Sequence, residues 1–393
     1  MNILMLLDEE FPPDSRVRKE ALSLIEDGHK VTIACHSRLN LPNQESIEGI
    51  EVRRMNISRI SYKLRAACLV IPFYFYIWRK FSYKIAKEKQ PDIVYVHDLP
   101  LSKVGYFIKK KFDCKLICDQ HEYYSDWIIH TAHMNTFLGK IVKGLSDWKK
   151  YERKYLELAD LVITVAEPLR KRYLSEYCLN KKKLITIPNT PSLKIYNREN
   201  INPSICEKYN DSFVIFYAGG LDILRGIDTA IKSLKLIRNE IPDVKLILAG
   251  KLIKPFDPIK ISQEEDVEDL VDFIGWIDEN DLPSYIASSN VCFFTPPTNR
   301  NEINETIATK IYQYAAMEKP IIVSDAKLMK EFVENNNLGV SIPSGDYKAF
   351  AEAVIECMSF NPESINREII TASFWEKTVT PLCQTIKNKF NKK

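Results

Sequence analysis

No CxxC pair occurs in this 393-residue chain, although it holds nine cysteines. Metal-binding and redox cysteines usually come as close pairs, so zinc ribbons and thioredoxin-like sites are excluded. Scattered free thiols suit a reducing compartment, and a cytoplasmic location is expected. No secretory signal is expected either, because Met1 runs into ILMLL, which is short and followed by acidic residues. No apolar run reaches the roughly 20 residues of a spanning helix. The richest, residues 66–78, has 13. No histidine lies beyond residue 133: His29, His36, His97, His121, His130 and His133 all fall in the first half, so imidazole chemistry must come from there. His130 and His133 are spaced to share a helix face, but no nearby Cys or carboxylate completes a ligand set, and no metal site is expected. GxGxxG is missing too. The first strand is followed by DEEFPPDSR, without a glycine, which disfavours the usual dinucleotide fold.

What is present is long enough for two domains. Composition, 45% hydrophobic and 27% charged, is that of a globular protein. The net charge of +3 conceals a division: residues 1–200 carry +10 and residues 201–393 carry −7. Short apolar runs alternate with amphipathic helical segments in both halves: NILMLL, KVTIAC, DIVYVH, KLICDQ and DLVITV, then FVIFYAG, VKLILAG, DFIGW, VCFFT and PIIVS. This is the pattern of parallel sheets covered on both faces. The α/β reading is therefore two Rossmann-like, doubly wound domains facing a central cleft: 1–190, a Pro- and Asn-rich linker at 191–211, and 212–372. A terminal segment, 373–393, is expected either to pack back on the first domain or to close the second.

Residues 59–89 carry eight Lys/Arg against one Glu, around a crowd of aromatics that includes Phe73, Tyr74, Phe75, Tyr76 and Trp78. Two readings stay open: peripheral contact with an anionic membrane, or a helix pair broken near Pro72 that buries its aromatics. Nucleic acid is not an expected partner, because no recognition motif accompanies the charge.

In the second half, FVIFYAGGLDILRGIDTAI reads as strand, glycine turn and helix. Gly219 and Gly220 permit close backbone approach, a helix starting near Gly226 offers free N–H groups, and Arg225 adds a fixed charge suited to a diphosphate. A glycine turn also simply ends strands. Further on, NETIATKIYQYAAMEKPIIVSD places Glu305 eight residues before Gln313, with Lys310 between. On one helix the two would share a side, either as hydroxyl ligands or as an ordinary solvated face.

In order along the chain, RVRKEALSLIEDGHKVTIAC, ADLVITVAEPLRKRY with LITIPN, AGGLDILRGIDTAI, DFIGWIDENDLPSYIASSNVCFF and the Glu305 segment resemble a retaining family 4 glycosyltransferase of GT-B architecture. The resemblance implies a nucleotide-diphosphate sugar as donor substrate, no further cofactor, no metal, and a saccharide or lipid-linked saccharide acceptor at the inner face of the cytoplasmic membrane. It implies that Arg225 contacts the diphosphate, that Lys310 does the same or braces Glu305, and that Glu305 binds donor hydroxyls. Gln313 is implied at the ribose, Gly275, Trp276 and Ile277 at the base, and His121 at the sugar near the reacting carbon. His97 is a second cleft candidate. Asp98 and Glu122 are alternatively helix caps, and Asp119 is read as structural. Two departures stand out: Gly220 replaces an arginine of many relatives, and Gln313 replaces a glutamate. They motivate a nucleotide-sugar-binding protein without turnover as one alternative. A UDP-sugar 2-epimerase on the same fold is another.

Overall fold

The computed structural model describes residues 1–39, 41–58, 61–62, 64–128 and 147–390. His130 and His133 lie outside them. The chain divides into two compact units, one of residues 1–188 with 379–393, the other of residues 189–378.

The first unit is built on eight strands: β1 (Asn2–Leu7), β2 (Lys30–Ser37), β3 (Gln44–Ile47), β4 (Ile50–Asn56), β5 (Ile93–His97), β6 (Lys115–Gln120), β7 (Leu161–Thr164) and β8 (Leu184–Thr186). Their order is β3-β4-β2-β1-β5-β6-β7-β8. Neighbours are parallel except β3 and β4. β1 and β5 are apolar almost throughout because helices cover both faces. The order reverses at β1, which pairs with β2 on one side and β5 on the other. The crevice at the carboxyl ends of β1 and β5 is thus a topological switch point, where open α/β sheets bind ligands.

Helix α1 (Ser15–Glu26) starts at Asp14, whose carboxylate accepts from the Val17 N–H at 3.0 Å. Its inward face holds Val17, Ala21 and Leu24, but also Arg16 and Glu20. Helix α2 (Phe73–Lys89) begins after Pro72, whose fixed φ and missing N–H fit a helix start. The aromatic stretch divides there: Tyr74, Phe75 and Trp78 enter the core, while Phe73 and Tyr76 stay exposed. Two more helices, α3 (Ser102–Phe112) and α4 (Trp148–Leu158), continue this layer. The C-terminal segment belongs to this unit from Val379 onward. Lys387 pairs with Asp27, and Lys389 donates to the Lys182 carbonyl at 2.5 Å.

The second unit has six parallel strands: β9 (Phe213–Ala218), β10 (Val244–Ala249), β11 (Val271–Gly275), β12 (Val291–Phe294), β13 (Ile321–Ser324) and β14 (Gly339–Ile342). Their order is β11-β10-β9-β12-β13-β14, with the reversal between β9 and β12. Residues 191–211 are part of this unit rather than a linker. Tyr196 and Tyr209 are buried in its core, and the Trp375 N–H donates to the Pro191 carbonyl at 2.8 Å. The polar composition of the segment misleads because its few aromatics carry the packing.

Candidate functional site

At the second unit's switch point the chain leaves β9 through Gly219 and turns into helix α5 (Ile227–Glu240) at Gly226. Gly219 has φ +144°, and a Cβ there would sit 2.6 Å from the Lys310 ammonium. At Gly226, φ +74°, a Cβ would collide with the Thr295 backbone. Both positions require glycine. The opening leaves room for Lys310, whose Nζ donates to the Tyr217 hydroxyl at 3.0 Å. The same nitrogen lies 4.2 Å from the Tyr217 ring centre and 4.7 Å from that of Phe294. The Arg225 guanidinium lies 5.8 Å from the Phe294 ring, and its buried Nε has no hydrogen-bond partner. Burial, and then Arg225, hold the Lys310 amine well below the usual lysine range. Among the described residues no carboxylate lies within ion-pair distance of Lys310 or Arg225. Two basic side chains with no carboxylate partner among the described residues, beside a helix N-terminus, suit an anion, whose charge would favour the ammonium form of Lys310.

Gly220 adds no charge. A Cβ there would meet only the end of Ile253, a flexible neighbour. Gly275, at φ +70°, closes β11, and Trp276 then projects outward, 77% exposed, while Ile277 packs against the core.

The sequence reading of Glu305 and Gln313 on one helix needs correction. A short helix α6 (Asn301–Asn304) ends at Glu305, and helix α7 (Thr309–Ala316) starts only after an extended Ala308. The break has a local cause. The Asn304 amide donates to the carbonyls of Thr298 and Arg300, and the Thr306 hydroxyl to that of Glu302, so side chains compete for the backbone. Lys310 therefore sits in the first turn of α7, and Gln313 one turn on. The Gln313 amide already donates to the Tyr196 hydroxyl at 2.6 Å.

In the first unit, the carboxyl ends of β5 and β6 carry His97, Asp98, Asp119 and His121. Arg16, absent from the sequence-derived set, is the hub. It donates from Nε and Nη2 to the two Asp119 oxygens at 3.2 and 3.0 Å, to the Ile187 carbonyl at 3.0 Å, and pairs with Glu20 at 3.0 Å. Its signal in the sequence was an Arg–Glu pair at i, i+4 on the apolar side of a helix. Asp119 also holds His121 Nε2 at 2.7 Å, so it fixes both Arg16 and His121 in place. Burial works against this charge, yet Arg16 and His121 keep the Asp119 carboxyl well below its usual range. Burial likewise opposes an imidazolium at His121, but Asp98 and Asp119 raise it to about 10. Nε2 is thus anchored, and Nδ1 lies 3.6 Å from Asp98.

His97, the second cleft candidate, has both ring nitrogens buried without a hydrogen-bond partner. It is fully buried and stacked on Tyr95 at 4.6 Å, whose hydroxyl donates to Glu20 at 2.5 Å. Neither Asp98 nor Glu122 caps a helix: the N-caps there are Leu101 and Tyr123. Asp98 instead holds φ +61°, a strained backbone at the switch point, and accepts from the His121 N–H at 3.3 Å. The ligand-type atoms of His97, Asp119 and His121 lie within 4.8 Å of one another. Arg16 occupies both Asp119 oxygens, so the donor set is that of a salt-bridged network and disfavours a cation.

A second buried group, unmarked by any sequence motif, follows β1. Asp8 accepts from the Tyr74 hydroxyl and lies 3.4 Å from Arg65; burial pushes its carboxyl up to about 6.

Known proteins bear on these arrangements. The family description "Glycosyltransferase Family 4" matches residues 15–191, and "Glycosyl transferases group 1" matches residues 199–371. The capsular polysaccharide biosynthesis glycosyltransferase CapM of Staphylococcus aureus is 26% identical over 241 residues, 58% of this chain; the chain spans 60% of that protein's length. Sucrose-phosphate synthase from Thermosynechococcus elongatus superposes with a TM-score of 0.75 at 19% identity, over 99% of each chain. Anabaena HepE in complex with UDP superposes with a TM-score of 0.72 at 16% identity, over 98% of this chain and 100% of its own. The two matched regions account for both units, and the chain belongs to the family 4, group 1 glycosyltransferases, with their GT-B fold.

Proposed function

We propose that this protein moves a sugar from a nucleotide-diphosphate donor to an acceptor hydroxyl with retention of anomeric configuration. The observation that carries the reading is the Lys310–Arg225 pair, two basic groups beside the Phe294 ring at the start of α5, with no carboxylate partner among the described residues. A diphosphate supplies the missing countercharge. As the bond from the anomeric carbon to the diphosphate oxygen breaks, charge builds on the leaving group. Arg225, Lys310 and the helix N-terminus meet that charge without calling on a metal ion. The acceptor oxygen bonds to the same face of the anomeric carbon, and its proton passes to the departing diphosphate.

Glu305 is assigned to the donor-sugar hydroxyls, Gln313 to the ribose, and Gly275, Trp276 and Ile277 to the base. The exposed Trp276 indole suits stacking on a base. His121 is assigned to the sugar through Nδ1. As an imidazolium at neutral pH it donates a hydrogen bond and does not take the acceptor proton. The acceptor is a saccharide or lipid-linked saccharide made at the cytoplasmic face, and the similarity to CapM supports a place in surface-polysaccharide synthesis.

A thermal-shift screen of UDP-, GDP- and ADP-sugars against the free nucleoside diphosphates tests this. One nucleotide series should stabilise the protein, and the effect should vanish in Arg225→Ala. No stabilisation by any nucleotide would contradict the proposal.

A further inference from the structure

Helix α2 has one face in the core and one largely open to solvent, where Tyr83 alone among the aromatics leans on the fold, 5.5 Å from the Phe112 ring. Tyr74, Phe75, Trp78, Ser82, Ile85 and Ala86 are buried. The opposite stripe runs Phe73, Tyr76, Lys80, Tyr83, Lys84, Lys87 and is exposed. Phe73 is 50% and Tyr76 64% accessible, and Val70 and Ile71, just ahead of the helix, are exposed as well. A helix face turned to water alone usually mixes charges of both signs and carries few aromatics. This stripe has no acid. The one acidic residue of α2, Glu88, is held by Arg53 and Lys89. Among the described residues no carboxylate pairs with Lys80, Lys84 or Lys87.

The neighbouring helices extend the charge. Phe75 stacks on Tyr151 of α4 at 6.0 Å, and Lys103 of α3 lies 5.0 Å over the Phe75 ring. Lys150 and Lys154 of α4 are exposed. The topology fixes where the apolar end points. β4 ends at Asn56 on the carboxyl edge of the sheet, and α2 runs back to the start of β5 at Ile93. Residues 70–76 therefore lie at the carboxyl edge, which also carries Asp98 and His121.

We propose that this surface docks the first unit on an anionic lipid bilayer, with Val70, Ile71, Phe73 and Tyr76 entering the headgroup–acyl boundary and Lys80, Lys84, Lys87, Lys150 and Lys154 facing lipid phosphates. Exposed apolar tips backed by lysines that pair with no carboxylate among the described residues fit an interface that is apolar below and negative at its surface. No helix among the described residues is long and apolar enough to cross a membrane, so the contact is peripheral. The proposal rests on the transfer reading only for its purpose, which is to bring the His121 edge to a lipid-linked acceptor.

Flotation with vesicles of phosphatidylcholine, alone or mixed with phosphatidylglycerol, tests it. The intact protein should float only with the anionic vesicles. Lys80→Glu with Lys84→Glu should lower the partition coefficient by about tenfold or more. Phe73→Ser with Tyr76→Ser should weaken binding even at low salt, where charge attraction is strongest. All four side chains point outward, so melting curves and nucleotide-sugar binding should match wild type. Vesicle binding with no nucleotide-sugar binding would support the surface and defeat the transfer reading. Failure of the wild type to float with anionic vesicles, undiminished binding by both variants, or binding to an acidic polypeptide but not to lipid would each overturn the proposal.

Discussion

The Lys310 ammonium and the Tyr217 hydroxyl lie 3.0 Å apart, and the phenol ring sits 4.2 Å beneath the same nitrogen. Tyr217 thus aims the lysine over the β9 end instead of neutralising it. Tyr217→Phe keeps the ring and removes the hydrogen bond. A neutral hydrogen bond is worth about 0.5–1.5 kcal/mol net, so donor KM should rise roughly 2- to 12-fold with kcat little changed. An unchanged donor KM would show that the hydroxyl does not position Lys310.

Glu305 follows a short helix whose end is fixed by Asn304, so replacing its side chain leaves the backbone bonds of that turn in place. Glu305→Ala should abolish transfer while the melting temperature and nucleoside-diphosphate binding stay near wild type. Wild-type turnover in this variant would remove Glu305 from the site.

Arg16 is the counterion of two buried carboxylates, Asp119 and Glu20. Arg16→Ala removes the arginine from Glu20 and leaves Asp119 with His121, and breaking such a buried pair costs about 3–5 kcal/mol. Denaturant titration should show a loss of that size. A loss below about 1 kcal/mol would mean that Asp119 has other support.

His121 has a folded-state pKa of about 10 against an ordinary 6.5. A raised value means that its protonated form contributes stability fully below about 6.5, and that the contribution fades as pH rises towards 10. The stability gap between wild type and His121→Asn should therefore narrow between pH 7 and pH 10. A gap that does not change with pH would show a neutral ring throughout.

Much of the fold was legible because parallel strands buried on both faces are short apolar runs, and both sheets are made of them. The anion receptor was legible for a similar reason: glycine, arginine and helix start lie within eight residues, 219–226. Lys310 needed the fold to bring it beside Gly219, though its type and place were readable. The break at Glu305 was not, since Asn304 and Thr306 stop the helix through hydrogen bonds that periodicity cannot register. Arg16 was missed because a charged residue on an apolar helix face looks like a surface residue until its partners, 103 and 171 positions away, are known. The burial of His97 against Tyr95 and beside Glu20 was not legible either, since a strand end alone does not tell an open position from a covered one.

The central claim is that Lys310 and Arg225 hold the donor diphosphate. Calorimetric titration of the preferred nucleoside diphosphate into wild type, Lys310→Met and Arg225→Met tests it most directly. Losing one charge-assisted contact of about 1.5–3 kcal/mol predicts affinity weakened roughly 10- to 150-fold in each variant, with the fold retained. Wild-type affinity in both variants would contradict the account.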